Sequence, residues 1–141
     1  MDVILNIIGS QDVDGEKSNI EMTSVGIAET RNNKTYIRYD DSASVGVDGV
    51  ISTIKIDPSD NSVTLRRSGN QNTCMYIKNG ERNVCRYETS SGCIDLGIFG
   101  ESICNNLKNN VGELTVSYTI DINHSLLSKN VLSLIVKPVL D

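Results

Sequence analysis

Few residues of this 141-residue chain combine a reactive type with a setting that could use it, and Arg67 comes first. In Val63, Leu65 and Arg67 the alternation puts the guanidinium on the apolar side of a strand. Arg66 falls with Thr64 and Ser68 on the wet side. An inward arginine can hold a ligand carboxylate through paired N–H donors. The plainer role is structural, with the stem on apolar neighbours and the head in solvent or on a protein carboxylate. Tyr118 lies on the apolar face of its own strand, and Tyr87 joins an inward face in one of two hairpin registers. Either hydroxyl could meet a ligand or be tied to backbone in a packed core. Met75 suits an adaptable apolar wall or ordinary core filling.

The remaining reactive types point to no reaction. The cysteines stand at 74, 85, 93 and 104, too far apart for a C-x-x-C site, and His124 is the single histidine. The expectation is buried, inert thiols, a solvated loop histidine and no metal. Asp12-Val13-Asp14-Gly15-Glu16 lacks the rest of a calcium loop. Gly46-Val47-Asp48-Gly49 lacks the lysine and helix of a phosphate loop. The pairs Asp40-Asp41 and Asp57-Asp60 sit among turn residues, where solvated carboxylates are ordinary. No catalytic residue and no cofactor site is assigned.

Charge narrows the partners. Eighteen acidic and 13 basic residues give a net charge of −5, and the basic residues are scattered. Nucleic-acid affinity rests on phosphate neutralisation, so DNA and RNA are not expected, nor is an anionic membrane surface. The apolar start, Met1 to Gly9, is short and has an acid where a signal peptide needs a base. It reads as a first strand of a cytoplasmic protein.

The elements that must position Arg67, Tyr118, Tyr87 and Met75 are strands. In Glu113 to Ile122 the residues Leu114, Val116, Tyr118, Ile120 and Ile122 share one face, with polar residues between them. Similar runs cover Ile20–Ala28, Lys34–Tyr39, Val50–Ile56, Ser62–Ser68, Thr73–Lys78, Asn83–Thr89, Cys93–Phe99 and Val131–Val136. With the first strand that makes about ten, separated by short turns rich in Asn, Asp and Gly. Short connections imply sequential antiparallel hairpins. So many strands avoid open edges by closing. The predicted architecture is one all-β domain over residues 1–141, a closed or nearly closed up-and-down barrel, with a two-sheet sandwich as the alternative.

Two stretches stay open. Glu101 to Leu107 fits a helical turn or the end of a long strand, and Asn123 to Asn130 fits a loop or a short helical turn. Asn79-Gly80 carries the strongest two-residue hairpin signal. A type I′ turn there sets Cys74 against Cys85; a three-residue loop through Glu81 shifts the pairing by one and sets Met75 against Cys85.

Several motifs in order resemble a known family: Val63-Thr64-Leu65-Arg66-Arg67-Ser68-Gly69, Met75-Tyr76-Ile77-Lys78-Asn79-Gly80, Tyr87-Glu88-Thr89-Ser90-Ser91-Gly92, Gly112 to Tyr118 and Asn130 to Leu134. Tyr39-Asp40-Asp41 and Gly49 to Thr53 extend the match toward the start. The chain resembles the YwiB-like family of small bacterial proteins, a domain of unknown function with a calycin-like β-barrel. It departs at Ile77, where the family usually has an aromatic residue, and at Ser90, where it has a proline. The resemblance implies a barrel shaped like those of lipocalins and fatty-acid-binding proteins, and it implies no reaction. Two functions follow as expectations. One is binding of a small, mostly apolar or acidic ligand inside the barrel near Arg67, Tyr118, Tyr87 and Met75. The other is a solid-cored interaction or regulatory module that works through its outer surface.

Overall fold

The structure is a computed structural model that describes residues 1–140 except 43–45, 47 and 71. Ten strands follow one another: β1 (Asp2–Val13), β2 (Glu16–Arg31), β3 (Lys34–Asp40), β4 (Val50–Asp57), β5 (Ser62–Gly69), β6 (Thr73–Lys78), β7 (Arg82–Thr89), β8 (Gly92–Lys108), β9 (Val111–Ile122) and β10 (Ser125–Pro138). They form one antiparallel sheet in the order β6-β5-β4-β3-β2-β1-β10-β9-β8-β7. The sheet curls into a nearly closed barrel, as the alternation and short turns predict.

Local chemistry explains the hairpins. Asp14-Gly15, Asn32-Asn33, Asn109-Asn110 and Asn123-His124 each place two consecutive residues at positive φ. That is the type I′ turn, whose twist matches that of the strands it joins. Asn and Asp tolerate this region better than other non-glycine residues. His124 belongs to such a turn, and Asp12 Oδ1 accepts the Gly15 N–H at 3.0 Å. Of the Gly46-Val47-Asp48-Gly49 run, Val47 lies outside the described residues.

Asn79-Gly80 behaves differently, and neither expected register forms. Only Gly80 has positive φ, and Glu81 N–H donates to Lys78 C=O at 3.1 Å. That is the pattern of a type II turn, which splays the strands it joins. The turn bonds elsewhere instead. Asn79 N–H donates to Asn61 C=O at 3.1 Å, and Gly80 N–H donates to Gly100 C=O at 2.8 Å. Strands β6 and β7 therefore end the sheet on opposite sides of a seam. The Cys85 thiol reaches across it to the Cys74 carbonyl at 2.8 Å.

Glu101 to Leu107 resolves as strand with a bulge, and Asn123 to Asn130 as the Asn123-His124 turn followed by strand with a bulge. In β8 the register shifts at Glu101, between Gly100 and Ser102. Ile98 and Ile103 have opposite parity, and the extra residue lets both pack against the core. In β10 the shift falls at Leu127, after which Ser128, Asn130, Leu134 and Val136 turn inward.

The core fills one end of the barrel. Val3, Leu5, Ile37, Ile56, Val63, Ile77, Ile98, Leu114, Val116, Leu134 and Val136 are almost wholly buried there. Each such side chain contributes about 1.5–3 kcal/mol by leaving water. Toward the other end the inward residues become polar or loosely packed, and a space remains. Among the described residues no helix is long and apolar enough to cross a membrane.

Candidate functional site

Ladder pairing brings three polar residues to one place. Tyr39 of β3 is partnered by Ser52 of β4, and Ser52 by Arg67 of β5. Directly paired residues point to the same side of a sheet, so the three stand side by side on the inner face. Across β1, β10 and β9 the partners Gln11, Asn130 and Tyr118 form a second row. Between these rows lies a half-open cavity of about 430 Å³. Ile7, Met22, Ile54, Leu65, Met75 and Ile120 give it apolar walls. A volume of this size holds a small organic molecule.

Gly26 lies next in the first row, paired with Tyr39. A methyl group there would stand 2.8 Å from a Leu5 methyl carbon and 2.7 Å from the Arg38 carbonyl oxygen. Glycine at this point leaves room on β2 for the Leu5 side chain and for the close backbone of β3.

Asp41 completes the cluster just past the end of β3. It is buried, with 2% of its surface exposed. Its Oδ2 accepts the Ser52 hydroxyl at 2.6 Å and the Arg67 Nε–H at 3.1 Å. This corrects the expectation of a solvated carboxylate. Asp40 fits that expectation, since it is exposed and accepts the Ser42 N–H at 2.9 Å. Asp57 and Asp60 cap the β4–β5 turn by accepting the Ser59 and Ser62 hydroxyls.

The electrostatics follow from burial. Desolvation, with the Asp41 charge adding to it, pushes the Tyr39 phenol up to about 12; Ser52 and Arg67 act in the opposite sense. Burial also raises the Tyr118 phenol, against a smaller effect of the Arg67 charge. Both hydroxyls therefore keep their protons at neutral pH and remain donors.

Of the residues singled out from sequence, Arg67, Tyr118 and Met75 all line this cavity. Tyr87 shares the inward face of Cys85 on β7, half-buried, and is not part of the lining. Sequence reasoning missed Tyr39, Ser52 and Asp41. Ser52 was visible in the alternation of Val50, Ser52, Ile54 and Ile56, all inward. Asp41 had no such signal, because it lies beyond a strand end. The thiols also differ from expectation: Cys85 is buried, but Cys74, Cys93 and Cys104 are exposed. Burial raises the Cys85 thiol.

Comparison with known proteins agrees with this fold. The family profile described as "Domain of unknown function (DUF1934)" matches residues 5–134. The crystal structure of the ywiB protein from Bacillus subtilis superposes with a TM-score of 0.74 at 20% identity, covering 98% of this chain and 92% of that one. No curated protein matches the chain.

Proposed function

The chain belongs to the DUF1934 family, and from the space its barrel encloses we propose that it binds a small, mostly apolar molecule there. The observation that carries this reading is the coexistence of a packed end and an open end in one barrel. The packed end gives rigidity. The open end sets apolar walls against a few convergent polar groups: Arg67, Tyr118, Tyr39 and Ser52. That combination is the ordinary make-up of a small-molecule site. A barrel built only to present its outer surface gains nothing from leaving about 430 Å³ unfilled, since unfilled space forgoes packing.

The test is direct. Gently purified protein examined by native mass spectrometry should carry a small-molecule adduct or, if empty, should bind the neutral dye N-phenyl-1-naphthylamine with a rise in its fluorescence. Replacing Leu65 by Trp should fill the space and abolish the signal while the fold persists. Absence of both adduct and dye binding in the unaltered protein would sink the reading.

The interaction module keeps one favourable observation. On the outer face Ile4 and Val25 are ladder partners, and both are exposed beside exposed Ile27. An apolar outer patch of this kind is what such a module would use.

A further inference from the structure

We propose that the cavity selects an uncharged ligand whose polar end is a hydrogen-bond acceptor, such as a carbonyl, and that Asp41 is the group that disfavours acids; this rests on the binding reading above.

Unused donors stand at this end beside the two-way amides of Gln11 and Asn130. Arg67 uses its Nε–H on Asp41, and among the described residues its terminal Nη groups have no protein partner. The Tyr118 hydroxyl has none either, and burial keeps it protonated. A guanidinium offers five N–H donors and no acceptor, so the unused ones face the cavity or its water. The group that satisfies the donor-only nitrogens of Arg67 is therefore an acceptor.

The positive charge, by contrast, is already matched. Asp41 is almost wholly buried and lies 3.1 Å from Arg67 Nε. A ligand carboxylate on the outer nitrogens of Arg67 would be a second anion set against one cation. It would feel the charge of buried Asp41 through the shared guanidinium and give up part of its own hydration. Arg66 is the other cation of the lining. It projects from the outer face and is exposed, so solvent and salt screen it from the Tyr118 end. A neutral carbonyl accepts from Arg67 or Tyr118 and brings no second charge. The apolar walls suit the rest of such a molecule.

The experiment uses a matched pair, 2-acetonaphthone and 2-naphthoate, which share a skeleton and differ by a methyl group in place of a charged oxygen. Each is titrated against protein loaded with N-phenyl-1-naphthylamine, and displacement gives relative affinities. The ketone should displace the dye at least about tenfold better than the acid. Any apolar pocket favours the ketone to some degree, so the deciding quantity is the change in that ratio when the Asp41 charge is removed. In Asp41→Asn the acid should gain about tenfold relative to the ketone. Asp41→Ser serves if the Asn protein does not fold. A ratio unchanged in a folded variant would overturn the inference. So would an acid that matches or beats the ketone on the unaltered protein, a result needing no variant. In both cases the dye still binds, so the binding reading survives. If the dye does not bind, the binding reading fails and takes this inference with it.

Discussion

Asp41 and Ser52 meet through a hydrogen bond of 2.6 Å that is buried between the end of β3 and the inner face of β4. Arg67 reaches the same oxygen from β5, so one atom of Asp41 ties three strands at the open end of the barrel. Removing the Ser52 hydroxyl leaves a buried carboxylate short of a donor, which costs about 1–2 kcal/mol. Ser52→Ala should therefore lower the urea midpoint without changing the slope of the transition. An unchanged midpoint would show that the other contacts of Asp41 suffice without Ser52.

Asp121 makes the fold sensitive to acid. Arg82 grips its carboxylate with both Nε and Nη2, at 2.9 and 2.7 Å, and the His124 N–H adds a third bond at 3.0 Å. The Arg82 hydrogen bonds above all hold the acid at about 2, against an ordinary 3.8. A carboxylate depressed in the folded state stabilises the fold at pH values above the ordinary carboxylate range. That stabilisation fades as the pH falls through the folded value. Unaltered protein should thus exceed Asp121→Asn in stability near pH 7, and the gap should close between about pH 4 and pH 2. Urea unfolding at a series of pH values measures it. A gap independent of pH would contradict the assignment.

Two glycines of β8 should respond differently to the same methyl group. At Gly97 an added carbon would meet the guanidinium of Arg82, which crosses β8 there on its way to Asp121. That side chain can swing aside, so Gly97→Ala should mostly weaken the Arg82–Asp121 pair. At Gly100 the added carbon would meet the Lys78 carbonyl, which belongs to the backbone of the splayed turn. Backbone cannot yield so easily, and Gly100→Ala should destabilise by about 1–3 kcal/mol or more. Thermal unfolding of the two proteins should rank Gly100→Ala below Gly97→Ala. The reverse order would refute the account of the seam.

Thiol labelling should separate the cysteines. Cys74, Cys93 and Cys104 are exposed, so a small aromatic disulfide reagent should titrate three thiols in the native protein. Cys85 is buried, and burial holds its thiol protonated. It should react only after unfolding, or slowly through opening of the β6–β7 seam. Fast labelling of all four would mean that the seam stands open.

Strand identity and the inward set were legible because alternation is a local signal. Leu114, Val116 and Tyr118 read correctly from polarity alone, and so did Arg67 and Met75. The losses have physical causes. The bulge at Glu101 breaks the phase of β8, so Glu101 to Leu107 showed no clean alternation, although it is strand. Asn79-Gly80 has the composition of a tight hairpin, but its preference was overridden by tertiary bonds to Asn61 and Gly100. The partner of Arg67 was hidden because contact between residues 41 and 67 comes from the pairing of β3, β4 and β5.

Among the described residues every ladder of the sheet but one joins strands adjacent in sequence, and the exception pairs β1 with β10, Val3 opposite Pro138. The local hairpins can form within microseconds of collapse, each closing only a few residues. Joining β1 to β10 closes nearly the whole chain and carries the largest loop-closure entropy. The order of events follows from that: two meanders, β1–β6 and β7–β10, zip first, and their union is the slow step. Refolding should be limited by this meeting, in milliseconds to seconds. The cavity, whose walls come from both meanders, exists only after it.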